Sequence, residues 1–192
     1  MEIHINNKMK YLIDRASAIT PKDSLDDLLK SKKSLRIKLG VDPTAPDVTL
    51  GWYAILRALR KFQDYGHTAV LILGEFTAQV GDPSGKSETR TQLEENQIDD
   101  NSKGVLPIIK NILNKENLEI VSNKDWLSKL STSELVHLSS STTLAQMLER
   151  DDFANRYKDG NPISLTEFFY PLFQGYDSVA VKADIEIGGP DQ

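Results

Sequence analysis

Apolar and polar positions alternate over Ser34 to Val41, where Leu35, Ile37, Leu39 and Val41 are separated by Arg36 and Lys38. That period predicts a strand. A turn-rich loop follows, Asp42-Pro43-Thr44-Ala45-Pro46-Asp47. From Leu50 to Tyr65 the apolar positions change to helical spacing at Ile55, Leu56, Leu59 and Phe62, and Gly66 is placed to end the helix. Thr68 to Leu73 is a continuous apolar run that reads as a buried parallel strand. Strand, helix and strand make a βαβ unit, which places a ligand site at the carboxyl end of its strands.

The flanking segments predict further elements. Met9 to Ala18 and Ser24 to Leu29 read as short helices, the second capped by Ser24 with Asp26 and Asp27 in its first turn. Ser87 to Lys103 is polar, either a solvated helix or a mobile loop. Val105 to Leu113 reads as helix, Leu118 to Val121 as strand, and Ser131 to Leu148 as helix with Ser133 as a cap. A helix runs from Leu165, with Ser164 and Glu167 in capping-box spacing and Pro171 expected to kink it. A short strand at Ile185 to Ile187 leads into Gly188-Gly189-Pro190-Asp191-Gln192. A parallel sheet normally continues from such a turn, so the chain reads as a piece of something longer.

The 192 residues suit one domain, with 39% hydrophobic and 27% charged residues. The absence of cysteine excludes disulfides and metal–thiolate chemistry and fits a reducing compartment. Histidines stand only at 4, 67 and 137, which rules out close-spaced helical His ligand pairs. A net charge of −5 argues against coating nucleic acid by bulk positive potential. The longest apolar run, Ala69 to Leu73, falls far short of the roughly 20 residues a bilayer needs. A soluble, cytoplasmic protein is expected.

Three clusters could carry chemistry. The loop and helix start from Asp42 to Trp52 offer unpaired N–H groups and a positive dipole end, with Gly51 allowing close approach. The same residues also serve as plain turn punctuation. Gly81-Asp82-Pro83-Ser84-Gly85-Lys86 approaches a phosphate loop, but its glycine spacing is one residue short. Tyr170, Gln174 and Asp177 share one helical face, either a surface stripe or a recognition site for a small polar ligand. Leu165, Phe169, Leu172, Tyr176 and Val179 define another face, expected to meet the core.

In this order the motifs resemble the tyrosyl-tRNA synthetase family of class I aminoacyl-tRNA ligases, bacterial type. They are Gly40-Val41-Asp42-Pro43-Thr44-Ala45-Pro46, Phe62-Gln63-Asp64-Tyr65-Gly66-His67, Gly81 to Lys86, Met147 to Phe153, Phe169 to Ser178 and Gly188 to Gln192. The resemblance implies an α/β, Rossmann-like doubly wound parallel sheet flanked by helices, incomplete at the C-terminus. It implies an N-terminal helical segment over 1–33 and a catalytic domain over 34–192, with an inserted connective region at about 87–160. It also implies ATP-dependent activation of tyrosine and its transfer to tRNA(Tyr), ATP as co-substrate with Mg2+, and a homodimer away from membranes. Asp177 would accept the phenol proton, while Tyr170, Gln174 and Asp82 would hold the ammonium group. Asp42 and Thr44 would lie near the reacting phosphates, and Gly51, Gly188, Gly189, Asp191 and Gln192 near the nucleotide.

The chain departs from the family pattern at several points. Where class I enzymes carry His-x-Gly-His, it has Thr49-Leu50-Gly51-Trp52. Thr49 keeps one hydroxyl donor, whereas Trp52 either occupies space needed by ATP or merely packs at the helix start. Lys38 stands where better-known members place a tyrosine that contacts the substrate phenol. Pro190 replaces a small hydroxyl residue. The Lys-Met-Ser-Lys-Ser loop is absent from this sequence. Impaired adenylation is therefore expected, and a degenerate tyrosine-binding module or a structural fragment remains as an alternative.

Overall fold

The computed structural model describes residues 10, 12–21, 25–31, 34–82 and 93–189. Among them, four parallel strands form one sheet in the order β3-β2-β1-β4. The strands are β1 (Arg36–Val41), β2 (Thr68–Leu73), β3 (Leu118–Ser122) and β4 (Ile185–Glu186). Strands β1 and β2 pair from Arg36↔Thr68 to Val41↔Leu73, and Lys38 pairs with Glu186 across to β4. The chain thus steps outward from β1 to β3 and returns to the other side of β1. That reversal opens a crevice beyond the carboxyl ends of β1 and β4.

Helix α1 (Leu25–Ser31) precedes the sheet, and α2 (Leu50–Asp64) links β1 to β2. The short α3 (Thr77–Val80) and the long α4 (Glu95–Ile112) precede β3. The segment after β3 holds α5 (Lys124–Leu127), α6 (Thr132–Ser139), α7 (Leu144–Met147) and α8 (Asp151–Lys158). A 3-10 turn (Leu165–Phe168) then runs into α9 (Phe169–Ala180). On one face of the sheet, Ile37, Leu39, Leu71 and Leu73 pack with Leu56, Leu59 and Phe62 of α2 and with Val105 and Ile109 of α4. On the other face, Val70 and Ile72 meet Val181, just past α9. Coverage on both faces explains why β2 reads as an unbroken apolar run.

Several expected elements differ. The first helix ends near Ile13, and the chain then runs through turns, bends and irregular backbone, with Arg15 to Pro21 lining the cleft. The polar stretch from Glu95 onward and the segment from Val105 are one helix, started by a Glu94–Gln97 capping box. Residues 87–92 lie outside the described residues, as does the expected cap Ser24. The expected Ser131–Leu148 helix splits, and its cap is Ser131 rather than Ser133. The hydroxyls of Ser139, Ser140 and Ser141 donate to the carbonyls of Leu135, His137 and Leu138, and Thr143 starts a new helix. Such side-chain bonds compete with helix continuation.

The last helix turns its other side inward. Tyr170, Phe173 and Asp177 are buried, whereas Leu165 and Val179 are 79% and 68% exposed. Pro171 falls in the first turn of α9, where its missing N–H has no intrahelical partner to lose, so the change of direction sits at the 3-10 junction instead. That junction is held by a buried ion pair between Arg156 and Glu167, and Glu167 also accepts from the Ser164 amide.

Gly104 lets α4 approach the loop after β1. A Cβ there would stand 2.6 Å from the Pro46 carbonyl oxygen, and Asn101 donates to the Pro43 carbonyl at 2.9 Å. Alanine at a helical glycine normally gains about 1 kcal/mol. Here the clash costs about 1–3 kcal/mol, so Gly104→Ala lowers the urea midpoint. A raised midpoint would show that the contact is slack.

Candidate active site

The crevice at the switch point is a cleft of about 1150 Å³. Its floor is built from the residues that follow the strands. Asp42 ends β1, Gly74 ends β2, and Asn123 ends β3. Asp42 accepts from the Thr77 hydroxyl at 2.8 Å and from the Tyr170 hydroxyl at 3.0 Å. Asn123 donates to Thr77 Oγ1 at 3.0 Å and to Asp177 Oδ2 at 3.2 Å. The indole of Trp126 donates to Asp177 Oδ1 at 2.8 Å. The Asp42 and Asp177 carboxyls thus lie at the two ends of one hydrogen-bonded chain.

Asn123 is fully buried and is the hub of that chain. Its own amide donates to the Leu73 carbonyl at 3.0 Å, and its side-chain oxygen accepts from the Phe76 amide at 2.9 Å. Gly74 leaves the space this arrangement needs, since a Cβ there would lie 1.8 Å from Asp42 Oδ1 and 2.5 Å from Thr77 Oγ1.

Electrostatics follow from this enclosure. Burial pushes the Asp42 carboxyl up to about 7, with Asp82 and Asp177 adding repulsion and the Thr77 and Tyr170 hydroxyls opposing the rise. Burial likewise raises Asp177 to about 6, against the pull of Trp126, Asn123 and Lys38. Two carboxyls raised towards neutrality in one cleft point to a functional site.

Most sequence-predicted residues converge here. Lys38, Asp42, Thr44, Gly51, Trp52, Asp82, Tyr170, Gln174, Asp177, Gly188 and Gly189 all border the cleft. Thr49 caps α2, its hydroxyl accepting from the Trp52 amide at 3.3 Å. Lys38 is fully buried and donates to the Gln174 carbonyl at 3.0 Å and to Glu186 at 2.6 Å. Asp191 and Gln192 lie outside the described residues. Gly74, Thr77, Asn123, Trp126 and Glu186 were not singled out from sequence. The available signal for Asn123 was its place directly after a strand, the same place that Asp42 occupies.

The profile of the family described as tRNA synthetases class I (W and Y) matches residues 30–192. The chain belongs to that family. Within it, the curated relatives are tyrosine–tRNA ligases. The chain is 51% identical to that of Carboxydothermus hydrogenoformans, over 98% of this chain and 47% of the relative. It is 45% identical to that of Moorella thermoacetica, over 100% of this chain and 48% of the relative. It spans about half the length of the curated relatives it matches. Among solved structures, a C-terminally truncated mitochondrial tyrosyl-tRNA synthetase from Coccidioides posadasii aligns with a TM-score of 0.81 at 26% identity, covering 96% of this chain and 55% of that one. The cleft thus lies largely within the residues that match the family, on a Rossmann-like parallel sheet.

The raised acid at position 42 has a defined cost. A carboxyl with a folded pKa near 7, against 3.8 for the free group, holds an extra proton in the folded state between those values. Stability contributed at this position therefore falls as pH rises through that window and stays low above it. Asp42→Asn removes the titration and keeps an acceptor for Tyr170. Its melting temperature should match wild type at pH 4 and exceed it at pH 8, by about 2–4 kcal/mol in free energy after discounting for partial solvent access. An equal difference at both pH values would refute the assignment.

Proposed function

We propose that the chain carries out ATP-dependent activation of tyrosine, the first half-reaction of a tyrosine–tRNA ligase. The observation that supports it most is Asp177, a buried carboxyl fixed by Trp126 and Asn123 on the wall of the cleft. Trp126 and Asn123 use one lone pair on each oxygen, and a phenol hydroxyl can donate to the capacity that remains. Phenylalanine would bury that remaining capacity without a donor, which is the costly kind of mismatch. In this reading residues 34–192 form the catalytic domain, with 87–160 as its connective region and 1–33 as an N-terminal helical segment.

The reaction asks for little covalent help. The tyrosine carboxylate forms a bond to the α-phosphorus of ATP, the bond from that phosphorus to the bridging oxygen breaks, and pyrophosphate leaves. The protein positions the reactants and stabilises developing charge. Tyr170, Gln174 and Asp82 would hold the ammonium group. Asp42 and Thr44 would stand beside the phosphates at the start of α2, near Gly51. Gly188 and Gly189, with Asp191 and Gln192 beyond them, would approach the nucleotide. Mg2+ would arrive on the phosphates of ATP; among the described residues no group of three His, Asp or Glu side chains converges to hold a metal ion.

Thr49 and Trp52 bear on rate. Thr49 already accepts the Trp52 amide, and Trp52 borders the cleft where the family pattern has histidine. Losing one such donor costs about 3 kcal/mol, or around a hundredfold. These two residues favour a second reading, in which the cleft binds tyrosine without adenylating it. The longer protein would transfer the tyrosyl group to tRNA(Tyr) in the cytoplasm as a homodimer. Among the described residues no helix is long and apolar enough to cross a membrane. Exposed Val136, Leu144, Tyr157, Leu165 and Val179 offer apolar surface for a second copy.

Tyrosine-dependent exchange of pyrophosphate into ATP tests the activity. Exchange above an Asp177→Ala control supports activation, and Thr49→His with Trp52→His in a version that includes a Lys-Met-Ser-Lys-Ser loop should raise it about a hundredfold. No exchange from folded protein that still binds tyrosine selects the binding module. A folded protein that binds no tyrosine leaves only the structural fragment.

A further inference from the structure

Lys38 is an unusual residue for the middle of a covered strand. Its side chain is 1% exposed, and lysines are almost never fully buried unless paired. Its partners belong to the other two elements that carry the site. The ammonium donates to the Gln174 carbonyl on α9 at 3.0 Å and to Glu186 on β4 at 2.6 Å. The other oxygen of Glu186 accepts from the Ser178 hydroxyl, again on α9, at 2.7 Å. Lys38 and Glu186 are also register partners across β1 and β4. One ion pair therefore ties together the strand leading to Asp42, the helix bearing Asp177 and the strand leading to Gly188.

The pair also sets the charge around Asp177. Lys38 favours its ionised form and Glu186 opposes it. The other groups facing it are neutral donors, Trp126 and Asn123 from the β3–α5 segment, together with the Asp42 carboxyl. Lys38 is the cation whose attraction counts among the main influences on Asp177.

We propose that Lys38, held by Gln174 and tempered by Glu186, is a positioning and charge-setting residue that keeps Asp177 an ionised acceptor, and so determines discrimination between a hydroxylated and an unsubstituted aromatic amino acid. This rests on the tyrosine reading of the cleft. Lys38 acts through Asp177: two of its three N–H donors are taken by the Gln174 carbonyl and Glu186, which fix its ammonium in place. The two members of the pair must push in opposite directions. Removing Lys38 leaves Glu186 and Asp177 as like charges, whereas neutralising Glu186 leaves the cation unopposed. Glu186 is 40% exposed, so its influence is the more screened of the two.

The test is equilibrium binding of tyrosine and of phenylalanine to the 192-residue protein from pH 5 to 8.5, with Lys38→Met, Glu186→Gln and the double variant. The ratio of the two affinities isolates Asp177, because titration of Asp42 affects both ligands alike. In wild type the ratio should fall as pH drops through about 6. Lys38→Met should move that midpoint up by about one pH unit. Glu186→Gln should move it down by about half as much. The double variant should fall between the two, about half a pH unit above wild type. Midpoints that stay together, or that move the same way in the two single variants, overturn the proposal even if affinities fall, since loss of packing alone would produce that. Should Lys38→Met fail to fold, the downward shift in Glu186→Gln and the smaller upward shift of the double variant still decide it. A wild-type protein that binds neither ligand overturns the tyrosine reading itself.

Discussion

Two carboxyls held apart by a bridge of neutral donors organise this molecule. Asp42 and Asp177 stand on different elements, and the path between them runs through Thr77 and Asn123. Each oxygen of both acids has a donor: Thr77 and Tyr170 for Asp42, Trp126 and Asn123 for Asp177. Those donors come from α3, α9 and the segment after β3, so the site closes only when the sheet has assembled with its helices. Gly74 is the complementary constraint, because any side chain there would displace the Asp42 carboxyl.

The fold carries this polar arrangement on a strongly apolar base. The α2 and α4 side of the sheet is packed with aliphatic side chains and places Asp42 at a strand end that cannot shift without disturbing that core. The opposite side holds fewer buried apolar residues and instead carries Lys38, Asn123 and Asp177. Buried polar groups cost stability unless paired. Here they are paired, and they confer a defined geometry where aliphatic packing would have been more stabilising and chemically inert.

The βαβ unit was legible in the sequence because its signals were strong and local: alternation in β1, helical spacing in α2, an unbroken apolar β2 and a glycine at +91° after the helix. The crevice followed from topology. The orientation of α9 was half legible: Leu165 and Val179 looked like core, whereas the Tyr170–Gln174–Asp177 stripe read either as surface or as a recognition site. The polar stripe faces inward because it lines a cleft and has partners on three other elements. The split between α6 and α7 was signalled only by the irregular spacing of the apolar positions on either side of a run of hydroxyl residues that bond back to the helix. Lys38 was legible as a polar position of an alternating strand and, by resemblance, as a site residue, and its burial became visible only with Glu186, 148 positions later. Asn123 and Trp126 belong to no motif that spacing alone reveals.

The enclosure of the two acids is open to direct measurement. Carbon-detected NMR of protein labelled at the aspartate carboxyl carbons, followed from pH 3 to 9, reads every aspartate at once. Two resonances should titrate late, at about 7 for Asp42 and about 6 for Asp177, each disappearing from the late group when its own residue is changed to asparagine. Adding tyrosine at pH 7 should shift the Asp177 resonance. If both acids titrated with the exposed aspartates near 4, the enclosed, hydrogen-bonded site described above would be wrong.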